Sequence, residues 1–183
     1  MRRGIDRPDS RVALRPFAPG DASELTAYLN RSETSWARYV GPDNPVPLAR
    51  AAVERLIEEW SDSEAKSMTL ALVTAANGEV IGHASAWWGW DAGTPDMAIV
   101  VDPRFRGRGF GRDAGTLILR YLFEDTMAWA VHCWIDDWNE SGIALATSLG
   151  FRQAGRSRCT RRRQGEWVDS LAFDLLRSEF EAD

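Results

Sequence analysis

The stretch from Asp96 to Phe123 most constrains what this chain can become. An apolar run, Met97 to Val101, reads as a strand and ends on Asp102-Pro103. Arg106-Gly107-Arg108-Gly109-Phe110-Gly111 then makes a glycine-and-arginine turn, and Leu117, Ile118, Tyr121 and Leu122 fall on one face of a following helix. Gly109 and Gly111 carry no side chain, so the backbone there can come close to a ligand. The first amides of a helix lack intrahelical partners and sit at the positive end of its dipole. Strand, glycine turn and helix start, in that order, predict an anion site suited to a phosphate or diphosphate.

The remaining elements arrange themselves around this unit. Residues 1–10 are polar and read as a flexible N-terminus, residues 11–177 as a single domain, and residues 178–183 as a tail. Arg11 to Phe17 alternates as a strand. Pro19-Gly20-Asp21 opens a helix with Leu25, Tyr28 and Leu29 inward and Asp21 as its cap. A short helical piece covers Glu33 to Tyr39, a loop runs from Gly41 to Pro45, and a helix from Pro47 places Val53, Leu56, Ile57 and Trp60 together. Met68–Thr74 and Glu79–Trp87 read as a hairpin through Asn77-Gly78. Trp129–Ile135 is apolar enough to predict a strand buried on both faces. Glu140–Leu149 is a helix stopped by Gly150, and Phe151–Thr160 with Glu166–Leu175 closes the chain as a hairpin. The order β-α-α-β-β-β-α-β-α-β-β predicts an α+β fold: a mixed, mostly antiparallel central sheet flanked by helices.

Composition narrows the class. The 183 residues suit one domain, and a net charge of −5 argues against a global electrostatic grip on nucleic acid. Two cysteines, Cys133 and Cys159, make no disulfide framework and read as buried free thiols. Met1-Arg2-Arg3-Gly4 leads into polar residues, and no apolar run approaches the ~18 residues of a membrane helix. A cytoplasmic protein with no membrane contact is expected, as monomer or homodimer.

R-x-x-G-x-G after an apolar strand and Val101-Asp102-Pro103 resembles the acetyl-CoA loop of the GNAT N-acetyltransferases. Asn139-Glu140-Ser141, followed by Leu149-Gly150-Phe151, resembles that family's second landmark at the usual spacing. The resemblance covers roughly Val12 to Leu176, and Gly165-Glu166-Trp167-Val168-Asp169 is most similar to the RimJ/RimL-type subgroup, which acetylates ribosomal-protein N-termini. It implies acetyl-CoA as co-substrate, no metal, and a primary amine as acceptor.

The resemblance also assigns candidate residues. Arg106, Gly107, Arg108, Gly109, Phe110, Gly111 and Arg112 would hold the diphosphate, chiefly through backbone amides. Ile99, Val100 and Val101 would offer backbone groups to the pantetheine arm, and Asn139 would bond that arm while capping its helix. Asp96 stands where many relatives carry a glutamate base, with Asp91 a weaker substitute. Ala146 stands where many carry a tyrosine acid, leaving Ser141 as the candidate acid. Trp36, Trp87, Trp88 and Trp90 would wall the acceptor groove. His83 and His132 read as core or rim residues, and Arg156 to Arg163 as a solvated hairpin, an acidic-acceptor surface or an RNA contact. Three other readings stay open: a non-catalytic acyl-CoA-binding module, an aminoglycoside-like antibiotic acetyltransferase, and an NAD-binding oxidoreductase. The last rests on Gly109-Phe110-Gly111-Arg112-Asp113-Ala114, which satisfies G-x-G-x-x-A, with Asp136 ending the next strand.

Overall fold

In a computed structural model, residues 4–31, 47–61, 66–89, 91–163 and 165–180 are described. Seven strands form one sheet: β1 (Val12–Arg15), β2 (Ser67–Thr74), β3 (Val80–Trp87), β4 (Asp96–Val101), β5 (Ala130–Asp136), β6 (Arg152–Arg163) and β7 (Glu166–Leu176). Its spatial order is β1-β2-β3-β4-β5-β7-β6, and only β4 with β5 runs parallel among the described residues. Four helices flank it: α1 (Ala22–Leu29), α2 (Arg50–Trp60), α3 (Phe110–Glu124) and α4 (Glu140–Ser148). The α+β sheet expected from the sequence is present. Among the described residues the sheet has one parallel pair and no repeated β-α-β units, which is not the doubly wound sheet the NAD-binding reading requires. The expected helix at 33–39 and the loop at 41–45 lie outside the described residues, as do Trp36 and Trp90.

Period-2 alternation divides the core between the two faces of the sheet. In β2, Met68, Leu70 and Leu72 point to one face, with Ile81, Ala84, Ala86 and Met97 of neighbouring strands. On that face α3 buries Ala114, Leu117, Ile118, Leu119, Leu122 and Phe123, while Tyr121 is half-buried. Each large apolar side chain so buried is worth about 1.5–3 kcal/mol, so this helix is held mainly by its apolar face. Ala71, Val73, Val80 and Val100 point the other way, onto Leu25, Tyr28 and Leu29 of α1 and Val53 and Ile57 of α2. Ahead of β1, Ile5 exchanges backbone hydrogen bonds with Leu14 and packs on the core.

Three local expectations are corrected. Asp21 does not cap α1: its carboxylate accepts from the Ala18 amide at 2.7 Å and from both terminal nitrogens of Arg15, at 2.7 and 2.9 Å. The extended chain before it and the nearby guanidinium outcompete the helix amides. β5 is not buried on both faces, since Trp134 is 52% exposed. Cys159 is an exposed thiol, not a buried one; only Cys133 is largely enclosed, and burial pushes its thiol up to about 12. Cys159 sits at a bulge in β6 with φ 52, its amide donating to Asp169 at 2.8 Å.

Candidate active site

Two strand edges and two helix starts converge between β4 and β5. These strands meet in register at Asp96 and His132, where the His132 amide donates to the Pro95 carbonyl at 2.9 Å. No further pairing between them is present among the described residues, so they diverge toward Val101 and Asp136. The divergence explains the exposed Trp134: beyond His132 this side of β5 borders an open cleft. Ile99 and Val101 spend their side chains on the α3 face, and Val100 on the α1–α2 face. What they leave for a ligand in the cleft is backbone, a mode of recognition akin to adding a strand.

At the far end of β4 the chain turns into α3. Asp102 is fully buried and accepts from the Arg104 amide at 3.0 Å and from its guanidinium at 3.1 and 2.8 Å. Burial pushes this carboxyl up, but the Arg104 bonds and the nearby Arg31 charge prevail and hold it below the usual carboxylate range. Gly107 and Gly109 both take left-handed conformations, φ 72 and 81, which cost other residues about 1–2 kcal/mol. Gly109 is the N-cap of α3 and has no side chain with which to cap it. Among the described residues the amides of Gly109, Phe110 and Gly111 meet no protein acceptor. At α4, by contrast, the Asn139 side chain accepts from the Gly142 amide at 3.0 Å and from the Ser141 hydroxyl at 3.1 Å. One helix start is closed by its own side chain; the other presents bare donors. Orphaned donors at a dipole's positive end fit the diphosphate expected there.

The loop arginines divide. Arg106 donates its Nε to the Val101 carbonyl at 3.0 Å, capping the strand end. Arg104 and Arg108 lie over the Phe105 ring, and Arg112 is exposed on the first turn of α3.

Asp96 begins β4 in a row of register partners, Trp87–Asp96–His132–Asp174, which the pleat turns to one face of the sheet. Trp134, two residues past His132, shares that face. Burial raises the Asp96 carboxyl above its usual range, with the His132 charge and a bond from the Trp134 indole pulling the other way. A carboxylate raised by burial is a stronger base than a solvated one. Val101 lies five residues on, about 17 Å at strand rise, so a ligand reaching both the bare amides and Asp96 needs an extended arm of that length.

Several expected members of the site are not brought together. Trp88 packs on the α3-side core, opposite the Asp96 face, because adjacent strand residues point to opposite sides; it does not join Trp87 in one wall. Ser141 lies past the end of β5 on the first turn of α4, and its hydroxyl serves the Asn139 cap. Ala146 is buried against the core. The basic run is partly paired: Arg156 binds Asp169 at 2.6 Å and Asp137 at 3.1 Å, Arg161 lies 3.6 Å from Asp136, and Arg163 stacks on Trp138. Trp134 and Asp174 were passed over in the sequence; alternation along β5 and β7, paired with His132, is the signal that finds them.

A mixed sheet splayed at a parallel pair, with an uncapped helix start beside the opening, is an architecture that suits an acyltransferase. The pattern of the acetyltransferase (GNAT) domain matches residues 11–152, and this chain belongs to the GNAT acetyltransferase family. It is 30% identical over 155 residues to a mycothiol acetyltransferase of Nocardiopsis dassonvillei, covering 79% of this chain and 44% of that protein. The chain spans about half the length of the curated relatives it matches. Among solved structures, a GNAT-family acetyltransferase from Bacillus anthracis aligns with TM-score 0.81 at 17% identity, over 97% of this chain and 100% of the other. Spermidine N-acetyltransferase from Vibrio cholerae, in complex with CoA and spermine, aligns with TM-score 0.79 at 17% identity, over 92% and 97%. At these identities the structural likeness establishes the fold.

Proposed function

We propose that residues 11–177 form one acetyl-CoA-dependent N-acetyltransferase unit, which moves an acetyl group directly to a primary amine. The observation that carries this reading is the set of unpartnered amides at Gly109, Phe110 and Gly111, opening onto the β4–β5 divergence with Asp96 at its other end. The loop amides hold the diphosphate, and the backbone of Ile99 to Val101 with the Asn139 amide group holds the arm. When bound, acetyl-CoA supplies a thioester whose C–S bond gives way to a C–N bond as a neutral amine attacks. Asp96 takes the proton from the incoming ammonium, directly or through water. The departing thiolate, whose conjugate thiol has a pKa of about 8.5, needs no dedicated acid; the Ser141 hydroxyl donates to the Asn139 cap and Ala146 fills the core.

The acceptor meets the Trp87–Asp96–His132–Asp174 row and Trp134. Two carboxylates and two indoles suit a cation, which both attract. A protein N-terminus, as in the RimJ/RimL-type subgroup, and a small amine, such as the spermine bound by the Vibrio structure, both satisfy that chemistry. Two free thiols suit a reducing cytoplasm; among the described residues no helix is long and apolar enough to cross a membrane.

The test is a panel of N-terminal peptides, polyamines and aminoglycosides incubated with acetyl-CoA, with released thiol as readout. Thiol release that needs a primary amine supports the reading. Tight coenzyme A binding with no release on any amine favours a non-catalytic acyl-CoA-binding module.

A further inference from the structure

Resting on that reading, we propose that Arg11 is a positioning residue for the diphosphate loop, reaching it from the opposite end of the sequence. Arg11 immediately precedes β1, at the sheet edge crossed by α3. Its Nη1 donates to the Arg108 carbonyl at 2.9 Å. Its Nε and Nη2 donate to the two carboxylate oxygens of Asp113, at 2.8 and 3.2 Å. The guanidinium carbon lies 5.6 Å from the centre of the Phe110 ring. A Cβ placed on Gly109 would come within 2.5 Å of Nη2. One side chain therefore touches Arg108, Gly109, Phe110 and Asp113.

The consequence follows from peptide geometry. In a trans peptide the C=O and the next N–H point to opposite sides. Fixing the Arg108 carbonyl on Arg11 thus turns the Gly109 amide away from Arg11, and the left-handed Gly109 carries that turn into the first amides of α3. A second effect is electrostatic. Asp113 lies in the first turn of α3, where its charge favours the helix dipole but repels an anion held on the adjacent amides. The planar fork of Arg11 satisfies both carboxylate oxygens and offsets that charge, while its third donor holds the carbonyl. A lysine has the charge but no fork, so it cannot do both at once.

The experiment compares wild type, Arg11→Ala and Arg11→Lys by calorimetric titration with coenzyme A, and by turnover with acetyl-CoA and with S-acetylpantetheine, which lacks the diphosphate. Arg11→Ala is expected to weaken coenzyme A binding by about 10-fold or more and to raise KM for acetyl-CoA with kcat little changed. Turnover of S-acetylpantetheine should be unaffected, and Arg11→Lys should recover only part of the loss. Arg11 is more than half exposed, so folding is expected to survive, and Arg11→Lys carries the test if the alanine variant does not fold. Equal losses on both thioesters, or none on either, overturn the proposal. Wild-type protein that binds no coenzyme A overturns the acetyltransferase reading itself, and this proposal with it.

Discussion

Asp96 and His132 face each other across the parallel strands β4 and β5, and among the described residues no second pair joins those strands. Everything the site offers follows from that single point of attachment. N-terminal to it the sheet is continuous through the Trp129 and Ala130 amides, which both donate to Gly93. C-terminal to it the strands part, and the bare amides of α3 lie at the far end of the gap. Asp96 therefore stands at the hinge of the cleft, half-buried, with its carboxyl raised by that burial.

Replacing Asp96 by Asn keeps the size of the side chain and removes the base. The kcat/KM of the variant should fall by about 10²-fold at pH values below the acceptor amine's own pKa. The loss should shrink as pH rises toward that pKa, where free amine no longer needs the carboxylate. If Asp96 is the base, the wild-type acid limb set by its protonation should be replaced by one set by the amine's own pKa. A pH–rate profile lowered uniformly, with its acid limb intact, would remove Asp96 from the base role.

Gly82 fixes the distance between β3 and β4. A Cβ on it would sit 2.0 Å from the Val100 carbonyl oxygen and 3.1 Å from the Val101 Cα. Both neighbours are backbone and cannot rotate away, so Gly82→Ala must push the strands apart. Destabilisation of about 3 kcal/mol is expected from the overpacking, read as a lower midpoint in urea at an unchanged slope. Since β4 carries Asp96, activity should fall in the surviving folded fraction as well.

How much of this was legible in the chain depends on the range of the interaction. Asn77-Gly78, the glycines of the α3 turn and the Asn139 cap act within a few residues, and their chemistry is readable from neighbours alone. Asp21 misled because its partners, Arg15 and the Ala18 amide, lie just upstream and offer better hydrogen bonds than the helix amides. The uniform apolarity of β5 concealed that half of it borders an opening, which no local pattern encodes. Trp87 and Trp88 read as one cluster, yet the pleat sends them to opposite faces. Arg11 and Asp113 are far apart in sequence, and only the packing of α3 against β1 brings them together.

Asn139 serves two roles that one substitution can separate. Its Oδ1 caps α4 through the Gly142 amide, and its Nδ2 remains for a ligand. Asn139→Ala should cost about 1 kcal/mol of stability by removing the cap. Asn139→Ser keeps a good capping oxygen and should stay within about 0.5 kcal/mol of wild type. If the amide group holds the arm, coenzyme A affinity should still fall about 5-fold in the serine variant, the worth of one hydrogen bond. Unchanged affinity in Asn139→Ser, measured by calorimetry, would confine Asn139 to the cap.

His83 predicts how the protein fails in acid. It is fully buried on β3, with Nδ1 bonded to the Tyr28 hydroxyl and the Trp60 ring 5.6 Å away. Burial disfavours its charged form and lowers its pKa from 6.5 to about 4. Between those values the unfolded chain binds a proton that the folded chain refuses, so stability is complete above about pH 6.5 and is lost as pH falls toward about 4. The loss over that window is about 3 kcal/mol. Asp21 and Asp102, whose folded pKa values are lowered, act in a different range: their contribution is present above the unfolded value of 3.8 and is lost only as pH falls below it. The two windows can therefore be told apart in one titration. His83→Gln keeps an acceptor for Tyr28 but cannot titrate, so its stability from urea unfolding should be flatter than wild type between pH 6.5 and 4, and parallel to it below. Parallel curves throughout would show that His83 becomes protonated without unfolding the protein.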